Sequence, residues 1–548
     1  MRTRLLAAKD FLWLIPASLL LGGLLASVQE GAWWVGWLGF SALSLAGFGA
    51  LIAAVRWANP VKKFAVIVSL AFLLRFVGGV ATYLSLPVIG YEDVDDKAGH
   101  VYTDANRRDA QAWELAGSGR PILDAFQSNY AYDQYGGLLA FSALAYRVLS
   151  PDAHRPLLLV LLTGLAAALG VPFLWKAVSK TFGEKVAWAV AWIFALYPES
   201  ILLGGSAMRE PYIMTFSAMA LWGFVSWLGA LPPGTAAGTG RASGFDMPRK
   251  KHAGLLNPQN NAWLWLGLGL LGMILVSPSV ALFTMGIFAG WLFFSRERAM
   301  ISWRAVLVLA AVFLAGLFFL SASLNRSGEF NAASPLHVIN DWLKLAVQWD
   351  AYQLERESGW VQKLFDEMPA WMRLPFVTFY GVLRPVLPAA LIDPTTPVWK
   401  FIYILRGLGW YALLPMLVLS FMAGPVSGVE VKRPLWMWIT LLAWTWILLS
   451  SLRGGGDDWD NSRYRALLFV WQALMGGHVW VWWRETRNAW FGRTLACEGV
   501  FLLVFGQWYA SRYWEWGAKL PFLPMVVLIG GVWAVVVVAG LWLDHRRA

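Results

Sequence analysis

Long apolar runs separated by short polar loops dominate the chain. About fourteen such runs, between Phe11 and Leu543, approach the roughly 20 residues that a helix needs to cross the hydrocarbon core of a bilayer. We therefore predict an all-α polytopic membrane protein with about 14 transmembrane helices. Two long extracytoplasmic loops bearing interfacial amphipathic helices complete this prediction.

The first long loop, from Gly90 to Arg155, breaks the apolar pattern. It contains ten carboxylates between Glu92 and Asp152, although only 14% of the whole chain is charged. Residues 104–116 have a helical pattern with a sparse apolar stripe. Residues 135–149 are amphipathic but too short to span about 30 Å, so we expect that helix to lie in the membrane interface.

Composition and charge indicate the class of protein and the orientation of the chain in the membrane. Of the 548 residues, 58% are hydrophobic, and the net charge is +11. With the N-terminus inside, every predicted cytoplasmic loop is basic, as the positive-inside rule requires. The excess of positive charge therefore indicates membrane topology and not nucleic-acid binding. We expect a bacterial inner (cytoplasmic) membrane protein with both termini cytoplasmic.

This topology divides the chain into four parts. Residues 1–63 form two additional N-terminal transmembrane helices. Residues 64–323 form a transmembrane core whose first outer loop is 90–155. Residues 324–400 form the second long outer loop, and residues 401–548 the C-terminal transmembrane helices.

The motifs of soluble enzymes are missing from the sequence. There is no phosphate-binding glycine loop and no zinc-binding motif, and the single cysteine is Cys497. ATP-driven transport on this chain is therefore not expected. Any chemistry is expected in the outer loops.

Asp104, in the sequence Tyr102-Thr103-Asp104, is the candidate catalytic group. At the membrane surface its carboxylate would accept a proton from an attacking hydroxyl. Alternatively, Thr103 or Asp104 caps the helix that follows. Asp109 lies five residues further on and shares a helix face with Asp104 poorly, so a single base is favoured over a carboxylate pair.

Cations near the predicted outer helix ends are candidates for binding phosphate. Arg463 and Arg465 lie at a predicted helix start, where their positive charges oppose the helix dipole but would favour a bound anion. The predicted donor-phosphate set is Arg463, Tyr464, Arg465, Arg384 and Arg209.

Three other residues are candidates for contacting substrate or a metal. They are Glu210, Asp109 and His337, and no metal site is firmly assigned. The alternatives are ordinary: Arg209 and Glu210 also suit a plain helix end before Pro211, and His337 an ordinary loop position.

The order of these elements, from Phe64 to Trp483, resembles the GT-C superfamily of polytopic glycosyltransferases. The resembling features are the acidic first loop with its YTD sequence, the basic turn 176–185, the Tyr197-Pro198 pair, the Arg209-Glu210 turn and the late Arg-Tyr-Arg. In such families the first-loop aspartate is the base, which maps to Asp104. Glu210 matches the second-loop acid, and Arg463 and Arg465 match the late arginines. Where many relatives carry Lys or Arg, this chain has Ser277 and Ser279.

The resemblance implies an inverting glycosyltransferase. It would move a sugar from a polyprenyl-phosphate donor to a hydroxyl of a lipid, glycan or protein acceptor, on the extracytoplasmic face. A divalent cation, Mg²⁺ or Mn²⁺, is optional because cations of the protein can hold a monophosphate. The alternatives are a transporter or flippase of lipid-linked sugars and a non-catalytic assembly protein for envelope polysaccharide.

Overall fold

The described part of the chain is built from helices. The computed structural model describes residues 6–59, 61–130, 133–229, 261–294, 303–326, 337, 368–427, 431–455, 457 and 459–547. The helices up to residue 326 are α1 (Ala8–Ser27), α2 (Trp33–Ala58), α3 (Lys62–Ile89), α4 (Val94–Lys97), α5 (Thr103–Gly117), α6 (Gly137–Leu149), α7 (Leu157–Thr181), α8 (Gly183–Leu196), α9 (Pro198–Gly204), α10 (Glu210–Leu228), α11 (Ala262–Val276), α12 (Pro278–Phe294) and α13 (Trp303–Arg326). Those after residue 368 are α14 (Ala370–Leu383), α15 (Leu387–Ile392), α16 (Pro397–Leu419), α17 (Arg433–Gly454), α18 (Asp460–Ala466), α19 (Phe469–Thr486), α20 (Ala489–Tyr513) and α21 (Phe522–Arg547).

Ten helices in the described ranges are long and apolar enough to cross a membrane, and an eleventh span results if α8 and α9, bent by 56°, are counted together. Helices α6, α11 and α12 are apolar but shorter. This architecture is that of an all-α, multi-pass membrane protein. The predicted number of 14 spans remains a prediction, as do the two long outer loops, since most of residues 327–367 lies outside the described ranges.

Helices α7 and α10 form the centre of the bundle. In each, 83% of the span is buried, compared with 11% for α21. Their sequences are apolar around the whole circumference, which is typical of a buried helix. A side chain at Gly170 of α7 would come within 2.9 Å of the Thr215 hydroxyl on α10, so the glycine permits this close approach. Because α10 begins at Glu210, the bundle centre fixes the position of that carboxylate.

Helices α5 and α6, which lie between α3 and α7 in the sequence, pack against each other. They confirm the helical patterns predicted for residues 104–116 and 135–149. Gly136 precedes α6 with a φ of 79°, a conformation that favours glycine. The Asp133 carboxylate accepts a hydrogen bond from the Leu139 backbone N–H at 3.0 Å, which satisfies one free donor in the first turn of α6.

One predicted element is wrong. We expected Arg463 and Arg465 at the start of a helix, but they lie in the last turn of the short helix α18. The chain breaks after Ala466, and α19 begins only at Phe469. Cations in a last turn complement the negative end of the helix dipole, so this position is favourable and requires no bound anion to explain it.

Candidate functional site

Arg75 lies within the apolar helix α3, where a charged side chain needs partners. The break between α8 and α9 provides them. Pro198 cannot continue α8, so the last carbonyls of that helix lack partners within it. The Arg75 guanidinium donates hydrogen bonds to the carbonyls of Phe194 at 2.8 Å and Ala195 at 3.1 Å, and to the Ser200 hydroxyl at 2.7 Å. Arg75 thus caps α8, which is a structural role that the sequence did not indicate.

The same break places Glu199 in a buried ion pair. The Arg406 guanidinium donates to the Glu199 carboxylate at 2.6 and 3.2 Å, and it lies 4.4 Å from the Trp459 ring centroid. The Tyr102 hydroxyl donates to the same carboxylate at 3.4 Å. This network ties the residue that precedes α5 to α9 and α16. This ion pair was not predicted from the sequence. The features that could have indicated it are Glu199, an acid directly after the helix-breaking Pro198, and Arg406, an arginine within an apolar run.

Asp104 lies in a cluster of charged residues that are far apart in the sequence. The Arg463 guanidinium donates to Asp104 at 2.8 Å and forms an ion pair with Asp460, also at 2.8 Å. The Glu210 Oε1 atom is 3.8 Å from the Nε atoms of both Arg463 and Arg209. We call these five residues, Asp104, Arg209, Glu210, Asp460 and Arg463, the Asp104 cluster. It unites α5, the start of α10 and α18.

Glu210 is the most buried member of the Asp104 cluster. Its exposed fraction is 0%, and neither carboxylate oxygen has a hydrogen-bond partner among the described residues. At 3.8 Å the two arginines neutralise its charge without bonding to it. Two acceptor oxygens are therefore available to a hydroxyl or another donor that enters between the arginines.

Arg209 is the cation with unused hydrogen-bonding capacity. It is 8% exposed, and the centroid of the Tyr135 ring lies 5.3 Å from its guanidinium carbon. The guanidinium makes no hydrogen bond to any described residue, and its one ion pair is the distant contact with Glu210. It also precedes the N-terminus of α10, where backbone N–H groups and the helix dipole favour an anion. A buried guanidinium whose five donors have no hydrogen-bond partner among the described residues is suited to a phosphate.

Asp104 is ionised and accessible. Its side chain is 45% exposed and lies in the first turn of α5. Burial tends to raise the pKa of this carboxyl, but the charges of Arg463, Arg108 and Arg209 and the hydrogen bond from Arg463 lower it to about 2. No side chain caps α5, whose N-cap position is Tyr102, so the capping alternative is wrong.

Asp109 lies in a separate pocket. Its side chain is 1% exposed, and its Oδ2 atom is 2.9 Å from His154 Nε2 and 3.4 Å from His100 Nε2. The Tyr146 hydroxyl donates to its other oxygen. Burial would raise the pKa of Asp109, yet the two imidazoles hold it well below its usual range. These contacts join α5 to α6 and to the loops on either side, which is a structural role.

Arg465 and Arg384 engage other partners. The Arg465 guanidinium donates to the carbonyls of Gly381 at 3.1 Å, Val382 at 3.0 Å and Arg384, and it stacks on Trp410 at 3.8 Å. Arg465 therefore caps the end of α14. The Arg384 guanidinium donates to the Tyr380 hydroxyl at 2.6 Å. None of these contacts brings Arg465 or Arg384 to Asp104, so their phosphate-binding roles remain predictions.

Tyr464 and His337 are the remaining candidates. Tyr464 borders the Asp104 cluster, since its hydroxyl donates to Asp460 at 3.2 Å and accepts from Arg463 at 3.4 Å. His337 is described alone, with undescribed residues on both sides, so its relation to the cluster stays a prediction. No group of three His, Cys, Asp or Glu residues in the described ranges has the spacing of a metal site. The divalent cation likewise stays a prediction.

Helices α14 and α20 contribute residues to two cavities. The first, the apolar cavity, has a volume of about 810 Å³ and lies between α14, α16, α17, α20 and α21. The second, the tyrosine cavity, has a volume of about 460 Å³ and is lined by Tyr91, Tyr380, Tyr403, Tyr509 and Tyr513 together with Arg384 and Asp393. Both volumes fall within the range of about 300–1,000 Å³ that is typical of ligand sites.

Comparisons with protein-family models, with curated proteins and with solved structures found no match to this chain.

Proposed function

We propose that the protein is an integral membrane glycosyltransferase that moves a sugar from a polyprenyl-phosphate donor to an acceptor hydroxyl, with inversion at the anomeric carbon. The observation that carries this proposal is the Asp104 cluster. It combines an accessible, ionised carboxylate with a buried guanidinium, Arg209, that has no hydrogen bond among the described residues. A base for the hydroxyl and a cation for the phosphate are the two groups that such a transfer requires.

Each step of the transfer then has a group to support it. The acceptor oxygen attacks the anomeric carbon, and the bond from that carbon to the phosphate oxygen breaks with its electron pair leaving on the phosphate. Asp104 takes the hydroxyl proton, which becomes acidic as the new carbon–oxygen bond forms. Arg209 stabilises the growing negative charge on the phosphate. Glu210 neutralises Arg209 until the donor binds, and its free oxygens can accept a sugar hydroxyl.

Arg463 acts on Asp104 as a positioning residue. Its hydrogen bond at 2.8 Å fixes the carboxylate, and its ion pair with Asp460 fixes Arg463 in turn. This pairing also lowers the basicity of Asp104. A carboxylate with a pKa of about 2 is ionised at every physiological pH, so it remains available to accept a proton while being a weak base.

Two structural contacts weaken the alternative of a transporter or flippase. Transport pathways are marked by ionisable residues within the spans. Arg75, Arg406 and Glu498 lie within apolar helices; Arg75 caps α8 and Arg406 is bound to Glu199, so these two have fixed structural partners. Glu498 remains, and it lines the apolar cavity.

A transfer assay tests the proposal. Purified protein in nanodiscs is incubated with a panel of radiolabelled polyprenyl-phosphate sugars and membrane lipid extract, and labelled product is measured. We expect transfer from one donor, and a loss of about tenfold or more in Arg209→Gln, because a charge-assisted hydrogen bond to phosphate is removed. Arg120→Gln, at an exposed arginine of the loop from Gly90 to Arg155, is the matched control. Transfer by Arg209→Gln at the control rate would contradict the proposed phosphate site.

A further inference from the structure

On two helices, residues close in the chain line the apolar cavity and the tyrosine cavity. At the end of α14, Leu383 lines the apolar cavity and the next residue, Arg384, lines the tyrosine cavity. One turn apart on α20, Phe501 lines the first and Phe505 the second. A single ligand that fills both would therefore have an apolar part and a polar part, joined at this boundary.

The apolar cavity is suited to a hydrocarbon chain. Its walls come from five helices, four of which are long enough to span a membrane, and nearly all of its lining residues are apolar. Of its few ionisable residues, Arg493 is paired with Asp544 at 2.7 Å. An apolar site within a membrane protein admits lipid chains, since these are the apolar molecules that surround it.

The tyrosine cavity is suited to an uncharged, hydroxyl-rich group. Its five phenols offer ring faces and hydroxyls. The hydroxyls of Tyr91, Tyr380 and Tyr509 already bond to Thr395, Arg384 and Asp393, and a hydroxyl oxygen in such a bond keeps a further lone pair for a ligand. Arg384 and Asp393 contribute opposite charges, so the lining has no net charge and does not select an anion. Tyr509 donates to Asp393 at 3.1 Å, which holds that carboxylate at the wall. Saccharides carry apolar C–H faces and hydroxyls that both donate and accept, and they match this lining.

The tyrosine cavity lies one aromatic layer away from the Asp104 segment. The Tyr403 ring, in the cavity wall, is 5.3 Å from the Trp459 ring, and Trp459 is 5.6 Å from the ring of Tyr102. Asp104 follows Tyr102 by two residues. These ring contacts place the tyrosine cavity near the segment that carries Asp104.

We propose that these two cavities bind the acceptor, and that the acceptor is a glycolipid. Its apolar chain lies in the apolar cavity and its saccharide in the tyrosine cavity, with a sugar hydroxyl directed towards Asp104. The inference rests on the proposed function, because it treats the bound glycolipid as the acceptor of the transferred sugar. In that transfer, the hydroxyl loses its proton to Asp104, its oxygen bonds to the anomeric carbon, and the lipid phosphate leaves with the electron pair. It assigns Arg384 to the saccharide and leaves Arg209 for the donor phosphate.

Photolabelling tests the binding directly. The probe is decyl maltoside with a diazirine in its decyl chain, added to the protein in nanodiscs, illuminated and mapped by peptide mass spectrometry. We expect labels on α14 and on α20 between Cys497 and Phe501, which line the apolar cavity. Excess decyl maltoside should reduce this labelling at least fivefold, whereas equal concentrations of decyl phosphate or free maltose should not. Competition by decyl phosphate as strong as that by decyl maltoside would overturn the inference, because the site would then select an anionic lipid head.

Three variants separate the two halves of the site. Leu414→Trp fills the apolar cavity, and Asp393→Asn removes the carboxylate from the tyrosine cavity; each should reduce competable labelling at least fivefold. Glu515→Gln is the matched control for Asp393, because Glu515 is an 82% exposed carboxylate that lines neither cavity. Labels that spread without competition over helices that line neither cavity, such as α1, or that persist in both cavity variants, would also overturn the inference.

The outcome is independent of the transfer assay. Competable labelling together with no transfer from any donor of the panel would leave the glycolipid site standing and remove the proposed function. Failure of the labelling, together with transfer that requires Asp104, would remove only the glycolipid site.

Discussion

Glu210→Gln gives a quantitative test of the Asp104 cluster. The substitution keeps the shape of the side chain and removes its charge. Glu210 is fully buried and is the only ion-pair partner of Arg209 in the described residues, whereas Arg463 keeps Asp104 and Asp460. Breaking a buried ion pair by removing one partner costs about 3–5 kcal/mol, because the remaining charge is buried without compensation. Because Glu210 and Arg209 are separated by 3.8 Å and share no hydrogen bond, we expect Glu210→Gln to lower the free energy of unfolding by about 3 kcal/mol, at the low end of this range.

The double variant makes this expectation specific. Arg209→Gln combined with Glu210→Gln removes both charges, so it should be more stable than Glu210→Gln alone, with a coupling energy of about 1–3 kcal/mol. Tryptophan fluorescence during heating in nanodiscs reports the apparent unfolding temperature, compared at one scan rate because such unfolding is often irreversible. Glu515→Gln, at an exposed pair, is the control and should change stability by about 0.5 kcal/mol or less. A double variant as unstable as the sum of the two single variants would refute the reasoning.

Three other predictions concern neighbouring parts of the molecule. Asp109→Asn should lower stability by about 1–3 kcal/mol, because the contacts of the buried carboxylate with His100, His154 and Tyr146 are weakened, measured by the same thermal assay. Because the folded-state pKa of Asp109 is depressed, its contribution is present above the ordinary aspartate pKa and is lost as the pH falls below it; wild type should lose stability there more steeply than Asp109→Asn. Arg465→Lys should lower stability by about 1–3 kcal/mol, because an ammonium cannot reproduce the hydrogen bonds to three carbonyls of α14, and unchanged stability would contradict the capping role. Ser118→Cys in a Cys497→Ala background should react with an impermeant maleimide in intact cells, and reaction only after permeabilisation would contradict the predicted orientation.

Local patterns predicted the helices well. The polar and apolar spacing of residues 104–116 and 135–149 indicated α5 and α6 to within about two residues, because amphipathic periodicity reflects which face is buried. The helical membrane architecture followed from the apolar runs in the same way. The break after Ala466 was not visible, since the sequence from Ala466 to Phe469 contains no proline or glycine that would mark the end of a helix.

The candidate site was only partly predictable, because long-range contacts decide the role of each charge. Asp104, Arg209, Glu210 and Arg463 were all named from the sequence, and the structure brings them together. Arg465 is two residues from Arg463 and therefore on a nearly opposite face of α18, where it meets α14 instead. The buried pair between Glu199 and Arg406, 207 positions apart, had no local signal that linked the two residues.

The most direct test of the central claim is the rate of sugar transfer by Asp104→Asn. The depressed pKa of Asp104 corresponds to at most about 2.5 kcal/mol of stability at neutral pH, and because the side chain is 45% exposed, solvent screening reduces this to about 1 kcal/mol. The variant should therefore fold, and its thermal unfolding verifies this. If Asp104 accepts the hydroxyl proton, transfer should fall by roughly 10²–10⁴-fold in the folded variant. Transfer within about threefold of wild type, far less than a general base contributes, would contradict the account.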